Sequence, residues 1–225
     1  MLLAIDTATR LLGLAVHDGQ TLLAEQTWQA PNNHTEVLAP AIELIIQHAG
    51  TTLDELTALT VVTGPGSYAG VRIGVALAKG LAAARGLPAV GVTTLDVLAA
   101  GQPNYDSTLI TVVRAGRGRV IAGRYRWNYA RWVPRGEPRL LKWEELFNSI
   151  DGRVTIAGEV DANGREAHQN RAADAPEAHI DFAPVAFSLR RAGFAAQLGN
   201  EQLQAGTPAD FPAIALTPIY INTLN

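Results

Sequence analysis

The chain has 225 residues, 48% hydrophobic and 17% charged, which is enough to bury a large core and too apolar for a disordered or fibrous protein. It has no cysteine, so a disulfide framework, a thiolate metal site and a cysteine nucleophile are all excluded. Formal charge is −3, yet two lysines (Lys79 and Lys142) stand against sixteen arginines, and eight of those (Arg114, Arg117, Arg119, Arg124, Arg126, Arg131, Arg135 and Arg139) fall within 26 residues whose one acid is Glu137.

Leu2–Asp6 and Leu11–His17 read as apolar strands, Asp18-Gly19 suits a hairpin turn, and 21–28 reads as the returning strand. After the break at Pro31-Asn32-Asn33 the spacing predicts a helix over 34–49, ended by Gly50, and then a buried-type strand over 59–63. The turn Gly64-Pro65-Gly66-Ser67 leads into a small-residue helix over 70–85, and Ala89–Val92 reads as a strand. Three antiparallel strands followed by helix, strand, helix and strand describe an α/β fold. Its mixed sheets are flanked by helices, in the order of ribonuclease-H-like, actin-like ATPase domains. Composition shifts near Gly101, so 1–100 reads as one domain and 101–225 as a smaller second one, with a C-terminal segment that could return to the first. In the second half, strands are expected over 109–114, 120–127, 133–141 and 154–157, and helices over 142–148 and 186–205.

Both helices of the first half carry more apolar surface than one packed face needs. At 100° per residue, Val37, Leu38, Ala41, Ile42, Leu44, Ile45 and Ile46 span roughly 200°, where a one-sided helix needs little over 100°. In the second helix Gly74, Ala76, Ala78, Gly80, Ala82, Ala83 and Ala84 are small, and small residues let another helix approach closely. One reading is packing on the sheet and on each other; the sharper one is an added subunit interface. Val37, Leu44, His48, Val75, Lys79 and Ala82 are the expected contact residues.

The candidate chemistry is sparse. Asp6 and Thr7 end the first strand, where a carboxylate could hold magnesium or water, or could cap its own turn. Gly64, Gly66 and Ser67 belong to a strand-to-helix turn whose N–H groups could receive an anion, or could simply make a tight turn capped by Ser67. The turn matches neither a P-loop nor a dinucleotide fingerprint. No His-Glu-x-x-His pair or serine elbow occurs, so neither a metal site nor a catalytic residue is assigned. The arginine-rich zone interleaves Tyr125, Trp127, Tyr129 and Trp132, a composition suited to phosphates and bases but equally to strands with one wet face; Arg114, Arg117 and Arg119 are its RNA-contact candidates.

Ile5-Asp6-Thr7-Ala8-Thr9, Asn33-His34-Thr35, the string from Gly64-Pro65-Gly66-Ser67-Tyr68-Ala69-Gly70 through Val71-Arg72-Ile73-Gly74, and Gly91-Val92-Thr93-Thr94-Leu95 together resemble the TsaB, or YeaZ, family. The likeness is dense over about residues 2–98 and thin beyond. It implies a degenerate two-domain actin-like fold and a non-catalytic, cofactor-free subunit of bacterial tRNA threonylcarbamoylation at adenosine 37. It also implies docking to the catalytic subunit TsaD through the first-domain helices, an ATPase partner TsaE, a homodimer when alone, and tRNA met indirectly through the complex. A cytoplasmic location without a membrane contact is expected, since no run reaches the roughly 18 apolar residues of a span. The second half departs from the family. Where an Asp-Ala-Arg-Arg-Gly-Glu-like stretch is usual, Arg114 and Arg119 reverse both acidic positions, and Glu159 and Asn222 replace other usual residues. The alternative is an independent nucleotide-binding small kinase or ATPase of the same fold, using Asp6 and the 64–70 turn.

Overall fold

In a computed structural model, which describes residues 1–30, 33–174 and 178–221, the chain forms two compact units. The predicted break at Pro31 and Asn32, and Asn222, lie outside the described residues. The first unit joins Met1–Val97 to Arg190–Tyr220, and the second holds Leu98–Leu189 and Ile221. The boundary thus falls inside a short helix, and the chain from Arg190 returns to the first unit.

The first unit contains β1 (Leu2–Asp6), β2 (Leu11–His17), β3 (Leu22–Gln29), α1 (His34–His48), β4 (Ala58–Val62), α2 (Tyr68–Arg85) and β5 (Ala89–Val92). Helix α3 (Thr94–Ala100) leads out of it. Strand order is β3-β2-β1-β4-β5, with β1 antiparallel to β2 and parallel to β4. Every residue of β1 and β4 is buried, which explains why they read as unbroken apolar runs rather than alternating ones: both sheet faces are covered. Thr60 and Val61, adjacent on β4, show what covers them. A Cβ at Gly74 of α2 would stand in van der Waals contact with Val61, and a Cβ at Gly199 would overlap Thr60. Helix α2 therefore packs on one face and the C-terminal helix on the other.

The second unit contains β6 (Thr108–Arg114), β7 (Arg119–Asn128), β8 (Arg131–Pro134), β9 (Arg139–Lys142), α4 (Trp143–Asn148), β10 (Arg153–Gly158), α5 (Ala162–Asp174) and β11 (His179–Phe182). Its sheet runs β11-β10-β6-β7-β8, with β9 also paired to β7. As in the first unit, the central strand has parallel neighbours on one side and antiparallel ones on the other. Helices α4 and α5 cover one face through Trp143, Leu146, Phe147 and Ala167. Both sheets have the mixed, helix-flanked α/β order expected from the sequence.

Two expectations are corrected, and three elements carry no sequence signal. The strand predicted over 133–141 is two strands, because Gly136 (φ +81°) and Pro138 make a turn between β8 and β9. The helix predicted over 186–205 starts only at α6 (Ala192–Ala205), since Leu189 and Arg191 are extended and a single 3-10 turn covers Val185–Ser188. Helices α3 and α5 and strand β11 went unread, and α5 shows the reason: its sequence is polar on nearly every side and only Gly164 and Ala167 are buried among its described side chains, so it carries no apolar stripe.

Two outcomes follow from this packing. Gly199→Ala should lower stability in urea unfolding by about 2 kcal/mol, as overpacking does, and part of that loss should return in Thr60→Ala/Gly199→Ala. His168 packs against Phe147 and Phe182, and burial, with Arg171 nearby, lowers its pKa below the usual 6.5. The native state therefore binds this proton less readily than the unfolded chain. The contribution is complete above pH 6.5 and declines as pH falls toward the lowered native pKa. His168→Phe should flatten the stability profile across that window.

Candidate functional site

Asp6 stands at the end of β1 and is 2% exposed. Its Oδ1 accepts the Ala8 N–H at 2.9 Å, closing the turn after the strand. The same carboxylate pairs with Arg190: Nε donates to Oδ2, and Nη2 donates to Oδ1 at 3.1 Å and to Thr9 Oγ1 at 3.1 Å. Both carboxylate oxygens are thus engaged by the protein's own groups. Arg190 itself is 2% exposed, one of the largest wholly buried side chains. The sequence hid this partner because it lies 184 positions away, inside a stretch read as continuous helix. Extended backbone at Leu189 and Arg191 is what turns Arg190 inward.

The 64–70 turn closes on the turn after β1. Ser67 donates its N–H to the Ala8 carbonyl at 2.6 Å, and Thr7 Oγ1 donates to the Gly70 carbonyl at 2.7 Å. Ser67 Oγ caps α2 by accepting the Gly70 N–H at 3.2 Å. Gly66, Gly70 and Gly74 permit this approach: a Cβ on any of them would collide with Ala8 or Thr7. Gly64 takes φ +106°, with its carbonyl accepting the Thr94 N–H at 2.8 Å. The five residues singled out for a phosphate, Asp6, Thr7, Gly64, Gly66 and Ser67, are therefore gathered in one place, but joined to one another and to Arg190.

The interface candidates divide. On α1, His34, Leu38, Ile42, Ile45 and Ile46 face the core, whereas Val37 and Ala41 are half-buried and Leu44 and His48 exposed. At helical spacing Val37, Ala41, Leu44 and His48 form one stripe along the edge of the buried face. On α2, the expected contacts Val75 and Ala82 are corrected: they are 4% and 1% exposed, on the side of the helix that meets β4. The glycines at 70 and 74 likewise accommodate the β1 turn, not a second helix. Facing outward instead are Ala69, Arg72, Ala76, Gly80, Ala83 and Ala84, with Ile73, Leu77 and Lys79 half-buried. Sequence reasoning missed an exposed cluster at the start of α2. Arg72 lies 4.0 Å over the Tyr68 ring and donates from Nε to Tyr220 Oη at 3.1 Å.

In the second unit the three RNA-contact candidates are unequal. Arg114 lies 3.6 Å from Asp161, and its N–H donates to Glu159 at 3.0 Å. Arg119 is half-buried, and its Nε has no hydrogen-bond partner among the described residues. Arg117 is exposed on the β6–β7 turn and lines a cleft of about 520 Å³ with Lys142, Asn163, Glu166 and Arg171. Among the described residues no group of three or more His, Asp or Glu side chains is arranged to hold a metal ion, and no helix is long and apolar enough to cross a membrane.

These features define an α/β protein with mixed, helix-flanked sheets in which the two turns at the head of the first sheet are closed on each other. A family model described as the tRNA N6-adenosine threonylcarbamoyltransferase TsaD matches residues 26–198. The tRNA threonylcarbamoyladenosine biosynthesis protein TsaB of Bacillus subtilis is 34% identical over 160 residues, 70% of each chain. That of Escherichia coli is 36% identical over 126 residues, 55% of this chain and 54% of its own. YeaZ from Pseudomonas aeruginosa shares the fold, with a TM-score of 0.77 at 24% identity over 98% of this chain and 99% of that one. The chain belongs to the TsaB family.

Arg190→Ala leaves the Asp6 carboxylate buried without its cation and should cost about 3–5 kcal/mol in chemical unfolding. Adding Asp6→Asn to that variant should recover a substantial part, because the remaining group is neutral.

Proposed function

We propose that this chain works in tRNA threonylcarbamoyladenosine biosynthesis as a non-catalytic subunit that docks the transferase TsaD. The modified position is adenosine 37 of tRNAs reading codons that begin with A. The observation that carries the reading is the outer surface of α1 and α2. Leu44 is 43% exposed on the α1 edge, and α2 presents small residues and three cations, Arg72, Lys79 and Arg85, with no acid along its whole length. Apolar side chains at an edge, beside a face that lets a helix approach closely, are what a protein partner covers. Val37, Leu44, His48 and Lys79 are the contacts retained; Ile73, Ala76, Gly80 and Ala83 replace Val75 and Ala82. Covering this face would favour one arrangement of the catalytic subunit by differential binding, without this chain taking part in bond-making. A second copy of the chain would cover the same face when TsaD is absent, and the ATPase TsaE would join the assembled pair.

The reading as an independent small kinase or ATPase needs Asp6 to reach magnesium or water. Its engagement with Arg190 and the Ala8 N–H weighs against that role. Isothermal titration of the purified chain with millimolar magnesium-ATP should accordingly give no saturable heat. Saturable binding lost in Asp6→Ala would revive the enzyme reading.

Leu44→Glu should abolish co-elution with TsaD while changing stability by no more than about 0.5 kcal/mol, as expected for an exposed site. Val75→Glu should instead fail to fold. Light scattering of the mixed proteins, with circular dichroism melts of each variant, makes the comparison; wild-type association by Leu44→Glu would sink the docking reading.

A further inference from the structure

The β7–β8 hairpin carries chemistry that docking through α1 and α2 does not use. Its register pairs Trp127 with Trp132 and Asn128 with Arg131, so the two indoles share one face while Arg126, Asn128 and Arg131 share the other. The indoles meet edge to face at 5.2 Å. Trp132 is anchored by its Nε1, which donates to the carbonyls of Gln102 and Pro103, each at 3.2 Å. Trp127 is thereby propped in place, yet 37% exposed. At the turn, Tyr129 and Ala130 both adopt left-handed backbone, with φ +44° and +65°. Asn-Gly ordinarily fills such a two-residue turn, because a Cβ is disfavoured at both positions. Tyr129 gains no burial in return: it is 95% exposed.

Arginines dominate the charge near this hairpin, with Glu137 of the β8–β9 turn the one acid between Arg114 and Arg139. Arg126, Arg131, Arg135 and Arg139 are exposed, and among the described residues none of them makes an ion pair. Arg139 lies opposite Ala122, on the same face as Arg126. The Arg135 N–H donates to the Arg124 carbonyl at 2.7 Å, which holds that residue against the same strand. The arrangement differs from the sequence-level candidates, since Arg114, Arg117 and Arg119 stand at the opposite end of β7. Unpaired guanidinium groups attract an anion. At the turn between them the exposed Tyr129 ring adds a flat surface for an unstacked base, which an acidic protein surface would not require.

We propose that the β7–β8 hairpin contacts single-stranded RNA, with Tyr129 at the turn stacking on an unpaired base and Arg126 and Arg131 holding the flanking phosphates. The choice of RNA rests on the tRNA pathway in the proposed function, but the contact does not depend on TsaD docking.

The test is fluorescence anisotropy of the full chain with a labelled twelve-nucleotide oligo(U), from roughly 50 to 200 mM salt, where phosphate contacts are most visible. Tyr129→Gly should weaken binding about tenfold, the size expected for one stacked base, while raising the melting temperature, because glycine relieves the left-handed turn. A purely structural role would move both in the same direction. Arg126→Gln/Arg131→Gln should lower the slope of log affinity against log salt by roughly 1.4, at about 0.7 per phosphate contact on a single strand. Leu44→Glu should bind RNA as the wild type does, so loss of TsaD docking and loss of RNA contact are read separately. Wild-type RNA affinity in Tyr129→Gly, or no binding at the lowest salt, overturns the proposal. So does tighter binding of oligo(dT), or displacement of RNA by poly-glutamate at equal charge concentration, which would assign the hairpin to DNA or to an acidic protein.

Discussion

The buried ion pair between Asp6 and Arg190 is the constraint on which the first unit depends. Two charges removed from water are tolerated only when each is closely matched, and here the match extends to the Ala8 N–H and Thr9 Oγ1. With extended backbone on either side of it, Arg190 points inward, and α6 begins only at Ala192. The next residue completes the start of that helix: Arg191 Nε donates to Glu25 at 3.0 Å, while the other Glu25 oxygen accepts the Gly193 N–H at 2.7 Å. A carboxylate at a helix N-terminus is favourable on its own account. Helix α6 is thereby set across the face of the sheet that displays Thr60, and the carboxylate best placed for metal or water is the one that holds the fold together.

A second constraint operates on the other face. Gly66, Gly70 and Gly74 let the first turns of α2 lie against Thr7 and Ala8, and hydrogen bonds between the two turns fix the approach. Once that seating is set, the rotation of α2 is no longer free. Val71, Val75, Ala78 and Ala82 face the sheet, so Ala76, Gly80 and Ala83 must face outward. The loop that looks like an anion cradle in the sequence therefore acts as a clamp, and the clamp decides which side of α2 is exposed.

The two units repeat one sheet order with different elaborations. In the first, the antiparallel side ends in β3; in the second, β7 is long enough to pair with both β8 and β9, and its far end projects as the β7–β8 hairpin. The arginines are distributed accordingly. Arg124 is tied down, its Nη2 donating to the Ser149 carbonyl at 2.7 Å, and Arg114 stands beside Asp161. Those around the hairpin have no such partners among the described residues. A composition that looked uniform along the sequence thus separates into structural arginines and solvent-facing ones.

Apolar runs, turn residues and helical spacing were sufficient to place β1, β2, β4, β5, α1 and α2, because each of these carries its own periodic signal or glycine punctuation. They also carried the family motifs and the surplus apolar arc of α1. The polar helix α5 carried no such signal, and neither did the extended residues that interrupt the run before α6. What tertiary structure alone decided was pairing and direction. It put Arg190 on Asp6 across 184 positions, turned Val75 and Ala82 toward the sheet, and left Leu44 at the edge. A helical wheel measures how wide an apolar arc is, but its orientation is set by whatever the helix packs against. A carboxylate at a strand end is likewise catalytic or structural according to the partner that folding brings to it, and that partner is invisible to any local reading of the chain.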